Sequence, residues 1–134
     1  MNVLIINGSP RENGNTAVAL KEMKQIFAQE SIEITELNVG SKAIRGCIAC
    51  GKCGTLGKCV FDDAVNEAAP LLAKADGVVV ASPVYYASAN GNLISFLDRL
   101  FYSSHCDLAM KVGASVVCAR RGGCSATFDE LNKY

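Results

Sequence analysis

NVLIINGSPRENGNTA, residues 2–17, is the stretch on which the fold turns. Its first half, Asn2–Asn7, is an almost unbroken apolar run. A strand buried on one face alternates apolar and polar residues. A run like this one is buried on both faces, as in a parallel sheet packed between helices. The second half holds Gly8, Ser9, Pro10 and Gly14, all turn formers. Asn15 or Thr16 is expected to cap a helix reaching about Glu30, with Leu20, Met23 and Phe27 on one face. Strand, tight polar loop, helix is how a βαβ unit begins.

The alternation continues along the chain. Ser31–Val39 mixes apolar and charged residues, which suits an edge strand. Asp62–Ala75 reads as a helix opened by two acids and kinked or interrupted at Pro70. GVVVAS, residues 77–82, is a second fully buried strand. Asn90–Ser103 is helical, with Leu93, Phe96, Leu97 and Leu100 on one face. Lys111–Ala119 is a further strand, and Ser125–Tyr134 begins another helix. The order β-α-β-α-β-α-β-α implies a parallel sheet with helices on both faces, and right-handed crossovers leave few topologies. The charged second strand belongs at an edge, and the apolar first and third belong at the centre. The expected fold is α/β: a flavodoxin-like doubly wound parallel sheet of order 2-1-3-4, with the fifth strand missing from this chain. Residues 1–134 are expected to form one domain, with a cysteine-rich loop at 46–59 between the second strand and the next helix. Lack of a fifth strand leaves an apolar edge on strand four. A sequence that stops short is favoured as its cause over an oligomer that covers the edge.

Composition narrows the function classes. Half of the 134 residues are hydrophobic and 19% are charged, as in a globular chain. Thirteen basic residues balance thirteen acidic ones, so no electrostatic footprint for nucleic acid or an anionic membrane is present. The apolar runs are too short to span a bilayer. No basic region precedes the N-terminal apolar stretch, so it does not read as a signal peptide. A cytoplasmic, reducing environment is expected, in which structural disulfides are disfavoured. Seven cysteines also cannot all pair within one chain.

Ligands in doubly wound sheets bind beyond the carboxyl ends of the strands, where the winding reverses, here between strands one and three. The loop after strand one offers Ser9, Asn13, Asn15 and Thr16 as donors and Arg11 as a fixed charge. Gly8 and Gly14 allow close backbone approach. The loop enters a helix N-terminus, which favours an anion. It is neither a P-loop nor G-x-G-x-x-G. It reads as a phosphate cradle or as an ordinary turn and cap. The loop after strand three, with Pro83, Val84, Tyr85 and Tyr86, offers a wall for a flat ring; equally, its tyrosines cover the sheet end. The loop after strand four, Ala119–Cys124, has Gly122 and Gly123 for close approach. Its Arg120 or Arg121 would balance charge on a reduced ring; a plain turn with solvated arginines is the other reading.

Cys47, Cys50, Cys53 and Cys59 form C-x2-C-x2-C-x5-C. Thiolates two residues apart can wrap one face of a [4Fe–4S] cubane, with a fourth closing it. Arg45, Lys52 and Lys58 would offset the negative charge. Zinc also takes four thiolates, although its ligand pairs are usually spaced further apart. Gly46, Gly51, Gly54 and Gly57 fit a tight loop without metal. All three readings stand on the spacing alone. Cys106, Cys118 and Cys124 fall in helix, strand and loop patterns and read as small buried hydrophobes. His105 reads as a surface or capping residue, and Asp62 and Asp63 as helix caps.

Taken together, GSPRENGNTA, GCIACGKCGTLGKCVFDD, ADGVVVASPVYYASANGNLISFLDR and RRGG resemble the NADPH-dependent FMN reductase and iron–sulfur flavoprotein group of flavodoxin-like proteins, from residue 1 to the end. The resemblance implies FMN with its phosphate on Ser9, Arg11, Asn15, Thr16 and nearby backbone. It places the isoalloxazine against Pro83, Val84, Tyr85 and Tyr86, with the Arg120–Gly123 loop near the pyrimidine side. It implies an FMN-dependent oxidoreductase that moves hydride from NAD(P)H to flavin and on to a quinone, nitro compound, flavin or protein acceptor. It also implies homodimers or homotetramers with the flavins near an interface. The alternative is a flavin and/or [4Fe–4S] electron carrier without nicotinamide turnover; a metal-bound structural or sensing domain comes third. Because the cofactor carries the reaction, no side-chain acid or base is assigned. One departure stands out: Ile94 occupies a position where such proteins often carry lysine, so any contact made by that lysine is lost.

Overall fold

The computed structural model describes residues 1–134. Its elements are β1 (Asn2–Asn7), α1 (Asn15–Gln29), β2 (Glu33–Asn38), α2 (Cys53–Leu56), α3 (Ala64–Lys74), β3 (Gly77–Pro83), α4 (Gly91–Ser103), β4 (Val112–Cys118) and α5 (Cys124–Leu131). The four strands form one sheet, ordered β2-β1-β3-β4, with every pairing parallel. This is the flavodoxin-like order that the charge pattern of the strands implies.

Side-chain alternation along β1 builds two cores at once. Val3 and Ile5 point to one face with Val79 and Ala81, where Leu20, Met23 and Phe27 of α1 cover them. Leu4 and Ile6 point to the other, against Val65 and Leu72 of α3, Leu93, Phe96, Leu97 and Leu100 of α4, and Leu131 of α5. A period of two along a wholly apolar strand therefore supplies both layers. β2, with charged Glu33 and Glu36, pairs only with β1 at one edge. β4 forms the other edge, and Val112, Gly113 and Ala114 are exposed there.

Register fixes the functional rim. Asn7 lies opposite Asn38 and Ala81, and Pro83 lies opposite Cys118. The carboxyl ends of all four strands, and the loops leaving them, therefore share one end of the sheet.

Several local expectations change. Gly14, not Asn15 or Thr16, is the N-cap of α1; both side chains already lie within the first turn. α3 starts at Ala64 and is capped by Asp63, whose Oδ1 accepts from the Val65 N–H at 3.1 Å. Pro70 does not interrupt that helix, which runs on to Lys74. Pro70 is exposed, and lacking an N–H it costs the helix one bond to the Asn66 carbonyl. A single turn of helix, α2, forms inside the cysteine loop. Cys106 lies beyond the end of α4, and Cys124 is the first residue of α5. No helix is long and apolar enough to cross a membrane.

Candidate functional site

The loop after β1 is set by short polar residues. Gly8 N–H donates to the Ala81 carbonyl at 2.7 Å, tying the end of β1 to β3. Asn7 is buried; its Oδ1 accepts from Ser9 N–H at 3.0 Å, and its Nδ2 donates to Asn38 Oδ1 at 2.9 Å. The Ser9 hydroxyl accepts from Arg11 N–H and donates to the Arg11 carbonyl, each at 3.2 Å. These contacts turn the chain into α1. The first internal bond of that helix runs from Val18 N–H to the Gly14 carbonyl at 3.1 Å. The N–H groups of Asn15, Thr16 and Ala17 therefore have no partner within the helix. The helix has neither a side-chain cap nor an acidic residue in its first turn. Its positive end is left open to an anion.

That end faces a cleft of about 400 Å³. Ser9, Arg11, Asn15 and Thr16 line one side; Pro83, Val84 and Tyr85 form a second; Cys118, Ala119 and Arg120 complete it. Thr16 is only 2% exposed, and what it exposes lines this cleft. The donor set, the open helix end and the apolar facing wall fit a phosphate carrying a flat ring.

The remaining rim residues divide. A second groove, of about 610 Å³, shares Val84, Tyr85, Ala119 and Arg120 with the cleft and adds Tyr86, Ala87, Arg121 and Gly122. Tyr86 projects fully into solvent at the tip of a tight turn, in which Tyr85 N–H donates to the Ser88 carbonyl at 2.8 Å. Tyr86 and Ala87 hold φ values of 52° and 60°, a left-handed conformation uncommon for side-chain-bearing residues. Asn13 does not line the cleft. It lies in a polar groove on the far side of the loop, with Asn7, Lys21, Lys24 and Glu36. Gly123 lines neither groove, but at φ 100° it packs so closely on the tyrosine loop that a Cβ would sit 2.8 Å from Ala87 Cα. Gly122 has open space around it, so the close approach expected of the pair belongs to Gly123 alone.

Sequence reasoning missed the residues that lock the rim. Asn90 is buried at the N-cap of α4. Its Nδ2 donates to the carbonyls of Gly8 (2.7 Å) and Gly40 (3.1 Å), and its Oδ1 accepts from Asn92 N–H at 3.0 Å. Its own N–H donates to Ser82 Oγ at 2.9 Å. One amide thus joins the loops after β1, β2 and β3. Gly40 makes this meeting feasible, because a Cβ there would fall 2.3 Å from the Ser9 carbonyl carbon. From α5, the Glu130 carboxylate accepts from Ser88 Oγ at 3.0 Å and Ala89 N–H at 2.8 Å. The polar NGN triplet before an amphipathic helix signals the Asn90 cap; nothing local connects Glu130 with Ser88.

The four cysteines gather at a different place. Cys47, Cys50, Cys53 and Cys59 all line one mainly apolar pocket with Ile48, Val60, Phe61 and Tyr102. Arg99 lies in its wall with its side chain 1% exposed. Its Nε and Nη2 donate to Cys59 Sγ at 3.3 and 3.2 Å; Nη1 and Nη2 clasp the Asp63 carboxylate at 2.7 and 2.9 Å. Nη1 also donates to the Arg45 carbonyl at 3.1 Å, and the guanidinium lies 5.0 Å from the Phe61 ring centre. Burial alone pulls this guanidinium's pKa down; the hydrogen bonds to Asp63 and Cys59 more than reverse that and hold it above the usual arginine range. The cation bonded to a cysteine sulfur is therefore Arg99, rather than Arg45, Lys52 or Lys58. His105, expected as a surface or capping residue, is exposed, with Nε2 3.2 Å from the Cys53 carbonyl.

The pocket encloses about 20 Å³, and no three of its sulfurs close around a common point as a metal site. Four thiols nonetheless share one apolar wall, with a buried cation beside them. Cys53 is buried and Cys59 half-buried, whereas Cys47 and Cys50 sit on the exposed stretch before α2.

A family model described as NADPH-dependent FMN reductase matches residues 1–134. An iron-sulfur flavoprotein of Methanocaldococcus jannaschii is 33% identical over 137 residues, covering all of this chain and 71% of that protein. One from Archaeoglobus fulgidus is 34% identical over 118 residues, covering 87% of this chain and 54% of that protein. Among solved structures, an NADH:FMN oxidoreductase (EMOB, apo form) superposes with a TM-score of 0.68 at 25% identity, over 96% of this chain and 64% of that one. The chain thus spans a little over half to about seven-tenths of the length of these three proteins.

Proposed function

Because the chain belongs to the NADPH-dependent FMN reductase family, we propose that it is an FMN-dependent NAD(P)H oxidoreductase with the 400 Å³ rim cleft as its flavin site. One observation carries this reading: an uncapped helix N-terminus and an apolar wall face each other across one cleft, with buried Thr16 between them. In the bound state the N–H groups of Asn15, Thr16 and Ala17 and the Thr16 hydroxyl donate to the phosphate, and Arg11 offsets its charge. The Ser9 hydroxyl, held by the Arg11 backbone, shapes the loop around it. Pro83, Val84 and Tyr85 shield one face of the ring from water, and Arg120 stands at the cleft's third side. FMN held there would supply the two-electron chemistry that links a nicotinamide to a quinone, flavin or protein acceptor. Arg120 and Arg121 line the adjoining groove, where they would pair with the phosphates of a nicotinamide dinucleotide. The exposed Tyr86 tip serves subunit pairing, as a homodimer or homotetramer with the flavins near the interface. Residues 1–134 act as one flavin-binding domain with the cysteine loop as its insertion.

A specific observation also favours a second electron centre. All four cysteines reach one pocket, and the M. jannaschii and A. fulgidus relatives carry the name iron-sulfur flavoprotein. A [4Fe–4S] cluster held by Cys47, Cys50, Cys53 and Cys59 would supply one-electron chemistry. With it the chain works as an electron-transfer flavoprotein, with or without nicotinamide turnover. The test is NAD(P)H oxidation by the FMN-loaded protein, with a quinone as acceptor. FMN-dependent turnover supports the reductase reading. A flavin that dithionite reduces but NAD(P)H does not would favour the carrier.

A further inference from the structure

We infer that Glu130 is a positioning residue for the flavin cleft: from α5 it clamps a strained turn, Tyr85–Ser88, and so holds Tyr85 in the wall that meets the ring. The inference rests on the flavin reading above and adds what keeps that wall in place.

The turn does not hold itself. Ser88 N–H donates to the Tyr85 carbonyl at 3.1 Å, and Tyr85 N–H donates to the Ser88 carbonyl at 2.8 Å. With Tyr86 at φ 52° and Ala87 at φ 60° between them, this is the backbone of a type I′ turn. Such turns favour Asn-Gly, because a Cβ is crowded where φ is positive. Here both central residues carry one. Conformations of this kind persist only where the surroundings over-determine them.

α5 supplies those surroundings twice. The Glu130 carboxylate accepts from Ser88 Oγ at 3.0 Å and from Ala89 N–H at 2.8 Å, which fixes the chain leaving the turn. One turn earlier on the same helix, Thr127 fixes Gly123. Its N–H and hydroxyl both donate to the Gly123 carbonyl, at 3.1 and 3.0 Å. Gly123 in turn backs onto Ala87 and Val84. On the other side of the turn, Val84 N–H donates to the Cys118 carbonyl at 2.9 Å, so the sheet holds the chain that enters it. Tyr85 sits between that sheet-held residue and a turn held from α5. Without Glu130 the left-handed pair can relax, and Tyr85 leaves the cleft wall. The loop after β1, which forms the phosphate end, takes no part in these contacts. The clamp therefore acts on the ring end of the cleft.

The test compares wild type, Glu130→Ala, Glu130→Gln and the double variant Glu130→Ala/Ala87→Gly. Each is titrated with FMN and with riboflavin, and amide hydrogen exchange is followed in the flavin-free proteins. Glu130→Ala should weaken both flavins by the same factor, about three- to tenfold for the lost hydrogen bonds, and speed exchange at Ser88 and Ala89. Glutamine still offers an oxygen to Ala89 N–H, so Glu130→Gln should bind both flavins more tightly than Glu130→Ala. Glycine takes a left-handed backbone without steric cost, so the double variant should recover part of the affinity that Glu130→Ala loses. Unchanged affinities or unchanged exchange in Glu130→Ala, or a loss confined to FMN, overturn the inference and leave the flavin site in place. A double variant that binds no better than Glu130→Ala overturns it as well. Should Glu130→Ala fail to fold, Ala87→Gly on its own decides: it should melt at a higher temperature than wild type, and a melting temperature no higher overturns the inference. A wild type that binds neither flavin overturns the flavin reading, and the inference with it.

Discussion

Replacing Asn90 with alanine tests whether the three loops form one site or merely lie near each other. The side chain bonds the Gly8 and Gly40 carbonyls and caps α4 through Asn92 N–H. Losing the cap costs about 1 kcal/mol. The Gly40 carbonyl keeps a bond from Asn92 Nδ2 at 3.0 Å. The Gly8 carbonyl loses its Asn90 donor in a buried setting, which costs about 1–3 kcal/mol. The total is about 3 kcal/mol, or a melting temperature lower by about 10 °C for a chain of this size. A purely structural role would end there. If Asn90 also fixes the mouth of the cleft, flavin should stabilise the variant less than wild type. At a concentration 100 times its dissociation constant, a ligand stabilises by about 2.7 kcal/mol, and a tenfold loss of affinity reduces this to about 1.4 kcal/mol. Thermal melts of both proteins with and without FMN read both quantities. An Asn90→Ala protein that melts with wild type refutes the energetic reasoning. One that is destabilised yet keeps the full FMN shift refutes the link between the rim and the cleft.

Three further outcomes are expected. Gly123→Ala should lower stability by about 1–2 kcal/mol, because its left-handed backbone disfavours alanine and the new methyl meets Ala87, whereas Gly122→Ala should stay within about 0.5 kcal/mol; chemical denaturation reads both. Arg11→Ala should weaken FMN about tenfold, the worth of roughly one charge-assisted hydrogen bond, and leave riboflavin binding unchanged, as fluorescence titrations would show. Glu130→Ala removes the acceptor of Ser88 Oγ and Ala89 N–H, and should cost about 1–3 kcal/mol and weaken flavin binding; melts and titration again measure it.

The parts legible in the sequence are those written in short-range pattern. The apolar run at Asn2–Asn7 marks a strand covered on both faces, and the charges of Glu33 and Glu36 mark an edge; between them they give the strand order. The apolar face of α4, from Leu93 to Leu100, is equally plain because its period is that of a helix. Long-range polar contacts leave no such trace. Arg99 looks like any helix arginine until α3 and the cysteine loop fold around it, 36 and 40 residues away in sequence. Glu130 meets Ser88 across 42 residues. Asn13 sits among candidate phosphate donors in sequence, but the turn made by Ser9 and Arg11 carries it to the opposite side of the loop. Residue type identifies donors, and only the folded turn decides which way they face.

The central claim is that the rim cleft is built for a phosphorylated flavin. The most direct measurement is titration of the purified chain with FMN and, separately, with riboflavin, followed by quenching of flavin fluorescence. The account predicts saturation at one FMN per chain, with riboflavin bound at least about tenfold more weakly because the open end of α1 then has no anion to hold. Absence of saturable FMN binding, or riboflavin held as tightly as FMN, would contradict it.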